Sequence, residues 1–449
     1  MNRLLVSAGS SVRCSGIFFG LAVFAVALPA ALVIPSDGSD GAFEPTGNVV
    51  IDLSEAVTGS WDTPGTGTGV YDPEQWAVVF KFTSVNIPSG VTVTFLNHPS
   101  RAPVIWLAEG DVVIEGTVAL DGAAGHGGNS LRSFAEPGPG GFRGGRGSDA
   151  QTVGAGGMGP GGSSYGPNNS HASSGGSYGT VGGTATTSWG GNTPGEPGQT
   201  YGNAGVFPLI GGSGAAGSAN GEFGKGGGAG GGAILIATPG SLLLNGQIRA
   251  NGGSGSSFGG PGGATRASGG GSGGGIRVIA DSISGSGLLR ALGGANPVAG
   301  AGTQGGQGGV GRIRVEAFTN ELIDTGNPAF SLGVPEDPPR IFRDPSTPAI
   351  RSVSLAGASV SEDPRSELSF PNTDLTLPEA GPVTLLIEAE HVPLDSEVRV
   401  RVVRRTGADT DFLAVHTGGT FEASTWSAEV DVAGGFSTIQ VRAGFAGGE

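Results

Sequence analysis

The chain has 449 residues, of which 91 are glycine and 29 are proline, and its formal net charge is −15 with lysine at only two positions. This charge disfavours nucleic acid and anionic membrane as partners, because both are negatively charged. The single cysteine, Cys14, excludes a disulfide framework and a cysteine-based metal site.

Residues 1–30 are predicted to be a secretory signal peptide. Arg3 and Arg13 precede an apolar run from Ile17 to Ile34, and small residues surround Ala30. A positive start, an apolar middle and a small-residue exit predict export and cleavage near Ala30, which would leave no membrane span. The alternative is an uncleaved anchor, because about 18 apolar residues are barely enough to cross a bilayer.

Residues 31–75 are rich in turn-forming residues and are predicted to cap the N-terminal end of a repetitive region, residues 76–318. The strongest strand signal of the chain opens this region, from Trp76 to Leu96, and is rich in Val, Phe and Thr. Its aromatic residues are predicted to lie mainly in the core.

Four similar segments follow, and they start at Ala102, Gly231, Gly273 and Gly308. Each full copy is an apolar strand that ends in alanine, a polar or glycine turn, a second strand and a run of glycines. In the last copy Arg312, Arg314 and Glu316 cannot all be buried, so the alternate residues must face the interior. The inward-facing residues of this last copy are Ile313, Val315 and Ala317.

The spacing of the copies, roughly 40 residues, is typical of solenoids, in which each unit buries its apolar face on its neighbour. The sequence therefore predicts an all-β protein with a parallel β-solenoid that carries long glycine-rich insertions. A β-sandwich with glycine-rich loops is the alternative, because alternation alone does not distinguish parallel coils from antiparallel strands.

Residues 122–230 are the longest glycine-rich excursion from the predicted solenoid, and their only apolar run is residues 206–210. Glycine runs can pack side by side as extended, polyproline-II-like strands, because only glycine lets backbones approach so closely. The sequence is compatible both with such packing and with a flexible loop.

An aromatic residue recurs every 11 to 13 residues inside this excursion, each time between a hydroxyl residue and a glycine. One interpretation is a row of exposed rings that contact sugars or a partner. The alternative is that the rings attach the glycine loops to the solenoid wall. The four residues are Tyr165, Tyr178, Trp189 and Tyr201.

Residues 319–348 are predicted to be a proline-stiffened linker, and residues 349–449 an immunoglobulin-like β-sandwich without a cysteine pair. No catalytic residue is predicted, since the matches to G-x-S-x-G and G-x-G-x-x-G lack the helix that these motifs require. No cofactor is expected either. Gly144 to Asp149 begins like a calcium-binding nonapeptide, but it occurs once and Gln151 replaces an apolar residue.

The segments PSRAPVIWLAEGDVVIEGTVALDG from Pro99, GGGSGGGIRVIADSISGSGLLRALGG from Gly269 and GRIRVEAF from Gly311 resemble a recurrent type of exported bacterial protein. These are glycine-rich β-solenoid surface proteins, loosely grouped with adhesins and haemagglutinin-like proteins. The resemblance covers residues 31–318, and the later STWSAEV and TIQVRA segments resemble the β-sandwich that follows in such proteins. It implies secretion or display at the cell surface, and it brings no catalytic motif.

Alignment of the copies places Arg249 beside Arg290 and Arg277 beside Arg314, as outward-facing columns. Stacked like charges are unfavourable unless acids pair with them or an anion occupies them. The columns are therefore candidates for a track that binds acidic polysaccharide, and the alternative is a solvated arginine ladder.

From these features we expect a non-enzymatic exported surface or matrix protein, an adhesion or display scaffold that contacts extracellular polysaccharide or cell-surface glycans. The alternative is a secreted polysaccharide lyase or hydrolase that acts on acidic polysaccharide along the solenoid wall.

Overall fold

The computed structural model describes part of the chain, and the regular elements of that part are almost all β-strands, so the all-β content is confirmed. The one helix among the described residues is a single 3-10 turn, Leu53–Glu55. Residues 32–449 form one compact unit. The described residues are 32–449 except 128–133, 149–153, 167–169, 187–192, 221–223, 258–265, 299–302, 337, 344–345, 361–373, 405–408, 436 and 445–449.

The predicted signal peptide lies outside the described residues. Within the described residues, no helix has the length and apolar character needed to cross a membrane.

The strands up to residue 333 alternate with glycine-rich segments. The first are β1 (Gly41–Phe43), β2 (Val49–Asp52), β3 (Val57–Thr58), β4 (Val70–Asp72), β5 (Ala77–Ile87), β6 (Thr92–Leu96), β7 (Val104–Ala108), β8 (Val112–Ile114), β9 (Thr117–Ala119), β10 (Ser170–His171) and β11 (Ala219–Asn220). The next are β12 (Ala233–Ala237), β13 (Ser241–Leu244), β14 (Gln247–Arg249), β15 (Gly275–Gly285), β16 (Leu288–Arg290), β17 (Arg312–Leu322) and β18 (Ser331–Gly333).

Six strands of the main sheet pair in a closed circuit, and every pair in it is parallel. β5 pairs with β7 along its first half and with β8 along its second half. β15 pairs in the same way with β12 and β13. The circuit closes because β7 also pairs with β12, and β8 with β13.

The predicted fold class, a parallel β-solenoid with long glycine-rich insertions followed by an immunoglobulin-like β-sandwich, is therefore wrong. The finding that overturns it is the barrel-like ring of six parallel strands. Two strands were predicted in each copy, whereas the structure has a third, short strand between them. It is β8 in the first copy and β13 in the second. Short turns place β7 end to end with β8, and β12 with β13, along uninterrupted eleven-residue neighbours, and this arrangement closes the ring.

The C-terminal strands also differ from the prediction. They are β19 (Ala349–Leu355), β20 (Ala358–Ser359), β21 (Gly381–Glu390), β22 (Glu397–Arg404), β23 (Thr410–Leu413), β24 (Val415–Gly419), β25 (Ser424–Val432) and β26 (Ser437–Gly444). They form a five-stranded antiparallel sheet, in the order β20-β19-β21-β25-β24, and a separate three-stranded sheet, in the order β23-β22-β26, instead of the predicted immunoglobulin arrangement.

The interior of the strand region is apolar, and its side-chain phase agrees with the sequence analysis. Ile313, Val315 and Ala317 are buried, and they pair in register with Ile276, Val278 and Ala280 of β15. A second parallel sheet, in the order β16-β14-β9-β6-β2, contributes side chains to the same core cluster. We call this cluster the strand core.

The glycine-rich segments form a layer of their own, which we call the glycine layer: the described parts of residues 121–232, 250–274 and 291–311. Residues 227–232 donate backbone hydrogen bonds in turn to three neighbouring segments, and the order of segments repeats after three residues. A repeat of three residues per turn is that of polyproline II. The acceptors, in order, are Gly145, Gly269, Ala123, Phe142, Ser272 and Leu120.

Candidate functional site

A cleft of about 520 Å³ opens between the glycine layer and the three-stranded sheet of β23, β22 and β26. Its volume lies within the range of sites that hold small molecules. The glycine layer supplies residues 141–143, 158–164 and 196–199 to its wall, apart from Gly161 and Ser163, and Trp76, Ser100 and Arg101 complete one side. We call it the arginine cleft, because five arginines line it.

Because side chains alternate between the two faces of a strand, two arginines of β22 face the cleft. Val398, Val400 and Val402 are buried in the C-terminal apolar cluster, so Arg399 and Arg401 must face the opposite side of the sheet. On the neighbouring strand, Arg442 lies directly opposite Arg399 and Gln440 directly opposite Arg401. The sheet therefore presents three guanidinium groups to the cleft.

Arginine is concentrated along the lining. Among the described residues, five arginines and two carboxylates, Glu196 and Asp411, line the cleft. Three further carboxylates, Glu136, Glu397 and Asp409, lie within 4 Å of these arginines without lining the cleft. An anion would therefore find guanidinium donors here, in a chain whose net charge is −15. The five arginines are Arg101, Arg143, Arg399, Arg401 and Arg442.

Two of these arginines share one carboxylate. Arg101 Nε lies 3.1 Å from a carboxylate oxygen of Glu136, and Arg143 Nε lies 2.6 Å from the other. Both arginine side chains are largely buried, and Glu136 is more exposed than either. Glu136 therefore fixes the positions of the two guanidinium groups.

The arginines of the sheet differ in how far they are neutralised. Arg399 pairs with Glu397 at 2.6 Å, and the hydrogen bond from this pair raises the pKa of Arg399. Arg401 Nη2 lies 3.4 Å from Oδ2 of Asp409, a carboxyl group whose pKa is raised by burial although Arg401 opposes the shift. The Asp409 oxygen also accepts a hydrogen bond from the Gly156 backbone N–H, 2.8 Å away, which attaches the sheet to the glycine layer.

Arg442 has no carboxylate partner within 4 Å among the described residues. One Nη1–H donates to the carbonyl oxygen of Pro160, 2.9 Å away, and its other donors have no protein acceptor among those residues. Partial burial, together with the charges of Arg399 and Arg401, lowers the pKa of Arg442. The guanidinium group is still charged at physiological pH, because arginine is not deprotonated in proteins.

Two residues of the cleft wall have a backbone conformation that is uncommon outside glycine. Trp76 has φ of 48° and Arg101 has φ of 56°. The Trp76 indole N–H donates to the carbonyl oxygen of Ser100 at 3.1 Å, and the Arg101 N–H donates to the carbonyl oxygen of His98 at 2.8 Å. Surrounding hydrogen bonds thus maintain a strained backbone at the wall, as is common at functional sites.

The aromatic residues singled out from the sequence lie inside the glycine layer. Tyr178 has no exposed surface and stacks on Tyr201, with 4.5 Å between ring centroids. Burial raises the pKa of both phenols. Tyr165 meets His171 edge-on at 4.5 Å, and Trp189 lies outside the described residues. These contacts favour the alternative in which the rings fasten the glycine segments.

Tyr201 shows how such fastening works. Its hydroxyl donates to the carbonyl oxygen of Gly211 at 2.6 Å and accepts a hydrogen bond from Ser213 at 2.9 Å. The guanidinium group of Arg312 lies 5.7 Å from the centre of the Tyr178 ring, on which Tyr201 stacks. The two tyrosines therefore connect the glycine layer to strand β17.

The first arginine column has the predicted register, and each member has an acidic partner. Arg249 pairs with Arg290 across the parallel strands β14 and β16. Arg249 lies 2.6 Å from Asp121, and Arg290 lies 3.0 Å from Asp324. The ion pair to Arg290 lowers the pKa of Asp324.

The second column, Arg277 and Arg314, also has the predicted register. Both arginines share Glu316, at 3.0 Å and 3.1 Å, and the side chain of Arg277 is only 6% exposed. The ring of Phe207 lies 5.8 Å from the Arg277 guanidinium carbon. Neither column lines the arginine cleft, and the carboxylates occupy the positions that an anionic ligand would need.

The described residues contain no group of three or more His, Cys, Asp or Glu side chains that could hold a metal ion. Asp149 and Gln151, in the motif that resembles a calcium-binding nonapeptide, lie outside the described residues.

The arginine cleft was not predicted from the sequence. One local signal was available: the run EVRVRVVRR from Glu397 alternates arginine with valine, in a chain with only 21 arginines. Alternation places those arginines on one face of a strand. Arg101 and Arg143 carry no such signal, because folding alone brings them opposite β22.

Comparison of the chain with protein-family models, with curated proteins and with solved structures found no match.

Proposed function

We propose that this protein is an exported, non-enzymatic surface or matrix protein that binds an extracellular glycan in the arginine cleft. The observation that carries the proposal is the lining of the cleft, which combines one indole with guanidinium, amide and hydroxyl groups. Sugar hydroxyls donate and accept hydrogen bonds, and such side chains supply both kinds of partner. The apolar faces of sugar rings pack against aromatic rings such as that of Trp76.

Several features of the cleft support binding more than catalysis. Among the described residues, its lining contains no histidine, lysine, tyrosine or cysteine, and so no imidazole to activate the hydroxyl groups of Ser100, Ser164 and Thr438. Arginine stays protonated and serves to hold an anion. We therefore assign the cleft to recognition.

A polysaccharide hydrolase is the second candidate, and one observation favours it. Glu196 stands on the wall formed by the glycine layer and Asp411 on the wall formed by β23. Glycoside hydrolysis uses two carboxyl groups on either side of the scissile bond. A sugar chain that lay between these walls would have one carboxyl group on each side.

The test is retention of the purified protein on immobilised plant and bacterial polysaccharides, with analysis of the soluble products. Retention without new reducing or unsaturated ends supports the proposal, and new ends support the enzyme. If none of the polymers retains the protein, both the glycan-binding proposal and the enzyme alternative are contradicted.

The variant Trp76→Ala assigns the binding to the cleft. We expect it to weaken binding about tenfold, because a lost aromatic contact costs roughly 1 kcal/mol or more. Trp61→Ala is the matched control, since Trp61 stacks on Phe342 at 4.2 Å and does not line the cleft. Equal affinities of the two variants would place the glycan elsewhere.

Export rests on the N-terminal segment alone. Cell fractionation, followed by surface proteolysis and N-terminal sequencing, tests it. We expect a secreted or surface-exposed chain that starts near Ala31, and a chain retained inside the cell with Met1 intact would contradict export.

A further inference from the structure

The charge distribution within the arginine cleft carries an inference about the class of ligand, which rests on the proposed function. We propose that the cleft selects an acidic sugar, and that the carboxylate or sulfate group of this sugar binds between Arg399 and Arg442.

The register of β22 and β26 brings two arginines together. Arg399 and Arg442 are directly opposite residues of an antiparallel pair, so their Cβ atoms are about 4.5–5.5 Å apart. Both side chains project to the cleft side of the sheet. Like charges in such positions repel each other, and an anion between them converts the repulsion into two attractive contacts.

No acidic group among the described residues lies between the two arginines. Glu397 precedes Arg399 on the same strand and pairs with it from an exposed position. Within the described part of the chain, the one protein acceptor of Arg442 is the carbonyl oxygen of Pro160, so most of its donors are available to a ligand. The arginine columns of the parallel strands differ in this respect, because every arginine there has an acidic partner.

The opposite wall supplies two further guanidinium groups. Arg101 and Arg143 lie there, and Glu136 holds both. An acidic oligosaccharide could therefore contact a cationic group on each wall, with its rings between them. This arrangement favours a chain with repeated acidic groups over a single small anion.

Non-specific attraction does not explain such binding. The protein as a whole has a net charge of −15 and repels polyanions at long range. Binding of an acidic polymer would consequently depend on the local site, and it would weaken as salt screens the contacts.

The experiment compares matched pairs of polymers that differ only in charge, by calorimetry on the full-length mature chain. The pairs are polygalacturonate with its methyl ester and dextran sulfate with dextran, and they distinguish a carboxylate from a sulfate as the anion. We expect at least one charged polymer to bind at least tenfold more tightly than its neutral counterpart. We expect Arg442→Gln to weaken that binding roughly tenfold to a hundredfold, the range for a lost charge-assisted contact.

Arg351→Gln is the matched control. It makes the same change of charge at an arginine of β19 that pairs with Glu388 and does not line the cleft. Arg442→Lys tests the geometry, because lysine keeps the charge but loses the planar fork, and we expect intermediate affinity. Thermal unfolding of each variant verifies that it is folded.

The outcomes separate this inference from the proposed function. Equal binding of charged and neutral polymers, with no effect of Arg442→Gln, overturns the acidic-sugar inference and leaves glycan binding intact. Equal losses in Arg442→Gln and Arg351→Gln also overturn it, because the effect would then be one of net charge. Binding of no polymer overturns both.

Discussion

The strand core and the glycine layer lie side by side in one compact unit, yet their interiors are packed by opposite means. The strand core is filled by large apolar side chains such as Trp106 and Ile236. In the glycine layer, buried positions are mostly glycine, alanine or serine, and the backbones themselves are the packing units. The comparison teaches that one chain can bury its backbone in two ways: behind side chains, or against other backbones.

The two regions also satisfy their backbone hydrogen bonds differently. In the strand core, the strands bond to neighbours in their own sheet, and these pairs are parallel except that of β4 with β5. In the glycine layer, a segment bonds to three neighbours in rotation, and serine hydroxyls complete the network. Ser163, for example, donates to the carbonyl oxygen of Ser174 at 2.8 Å. A buried backbone without such partners would cost several kcal/mol.

The largest expected effect is a cavity in the strand core. Trp106 is completely buried, and its ring contacts those of Phe43, Phe82 and Phe95 at centroid distances of 5.5, 5.8 and 6.1 Å. We expect Trp106→Ala to lower the free energy of unfolding by about 3–5 kcal/mol, since the neighbouring rings cannot fill the space. Equilibrium unfolding in urea measures the change.

Trp106→Phe is the control for this variant. The indole N–H of Trp106 has no acceptor among the described residues, so phenylalanine removes an unsatisfied donor while it keeps an aromatic ring. We expect a loss well below that of the alanine variant. Similar losses in both would mean that ring volume does not limit the stability of the strand core.

The next largest effect comes from the opposite change in the glycine layer. There a single methyl group is added instead of a large side chain being removed. A Cβ on Gly230 would overlap the carbonyl oxygen of Gly212, which is backbone and cannot rotate away. We expect Gly230→Ala to cost about 1–3 kcal/mol or more, the range for overpacking. The same unfolding measurement applies, with loss of amide protection across the glycine layer as a second observable.

Gly47→Ala supplies the matched control, because a Cβ there would meet nothing within 4 Å. We expect it to be neutral or to stabilise by up to about 1 kcal/mol, through the reduced entropy of the unfolded chain. If both variants behaved alike, the close approach of backbones would not be what stabilises the layer.

The strand core could be predicted in part from the sequence. Charged residues at alternate positions of 312–316 fixed which side chains face inward, and the same alignment correctly paired Arg277 with Arg314. The closed circuit could not be predicted in this way. It depends on β8 and β13, two short strands beside turn residues, and at that length a strand has no pattern that distinguishes it from a turn.

The glycine layer and the cleft were less accessible to prediction. Glycine has no side chain to carry a periodicity, so composition suggested polyproline-II packing but could not assign neighbours. The arginine cleft joins residues about 340 positions apart, from Arg101 to Arg442, and only the docking of the C-terminal strands on the glycine layer brings them together. The contact of Asp409 with Gly156, which maintains that docking, has no local sequence signal.

The smallest expected effect concerns how the stability of the two regions depends on pH. The residues of the strand core cluster include no histidine, although His98 stacks on its Tyr71, whereas the glycine layer buries His171 completely. Its Nδ1 lies 3.1 Å from the carbonyl oxygen of Ala172, and burial lowers the pKa of the imidazole below its usual value of 6.5. Protonation is therefore harder in the folded state than in the unfolded state.

Because the folded pKa is lowered, the stability contributed by neutral His171 is fully present above about pH 6.5 and is lost as the pH falls towards the folded pKa. We expect the free energy of unfolding to decrease between about pH 7.5 and about pH 5, and to decrease less in His171→Asn. Carboxyl groups titrate alike in both proteins, so the difference between the two slopes isolates the histidine. Trp106→Phe, which alters only the strand core, should keep the steeper slope of the unmodified chain. Equal slopes in the unmodified chain and His171→Asn would show that the layer opens enough at low pH to hydrate the imidazole, and its packing would then be looser than that of the strand core.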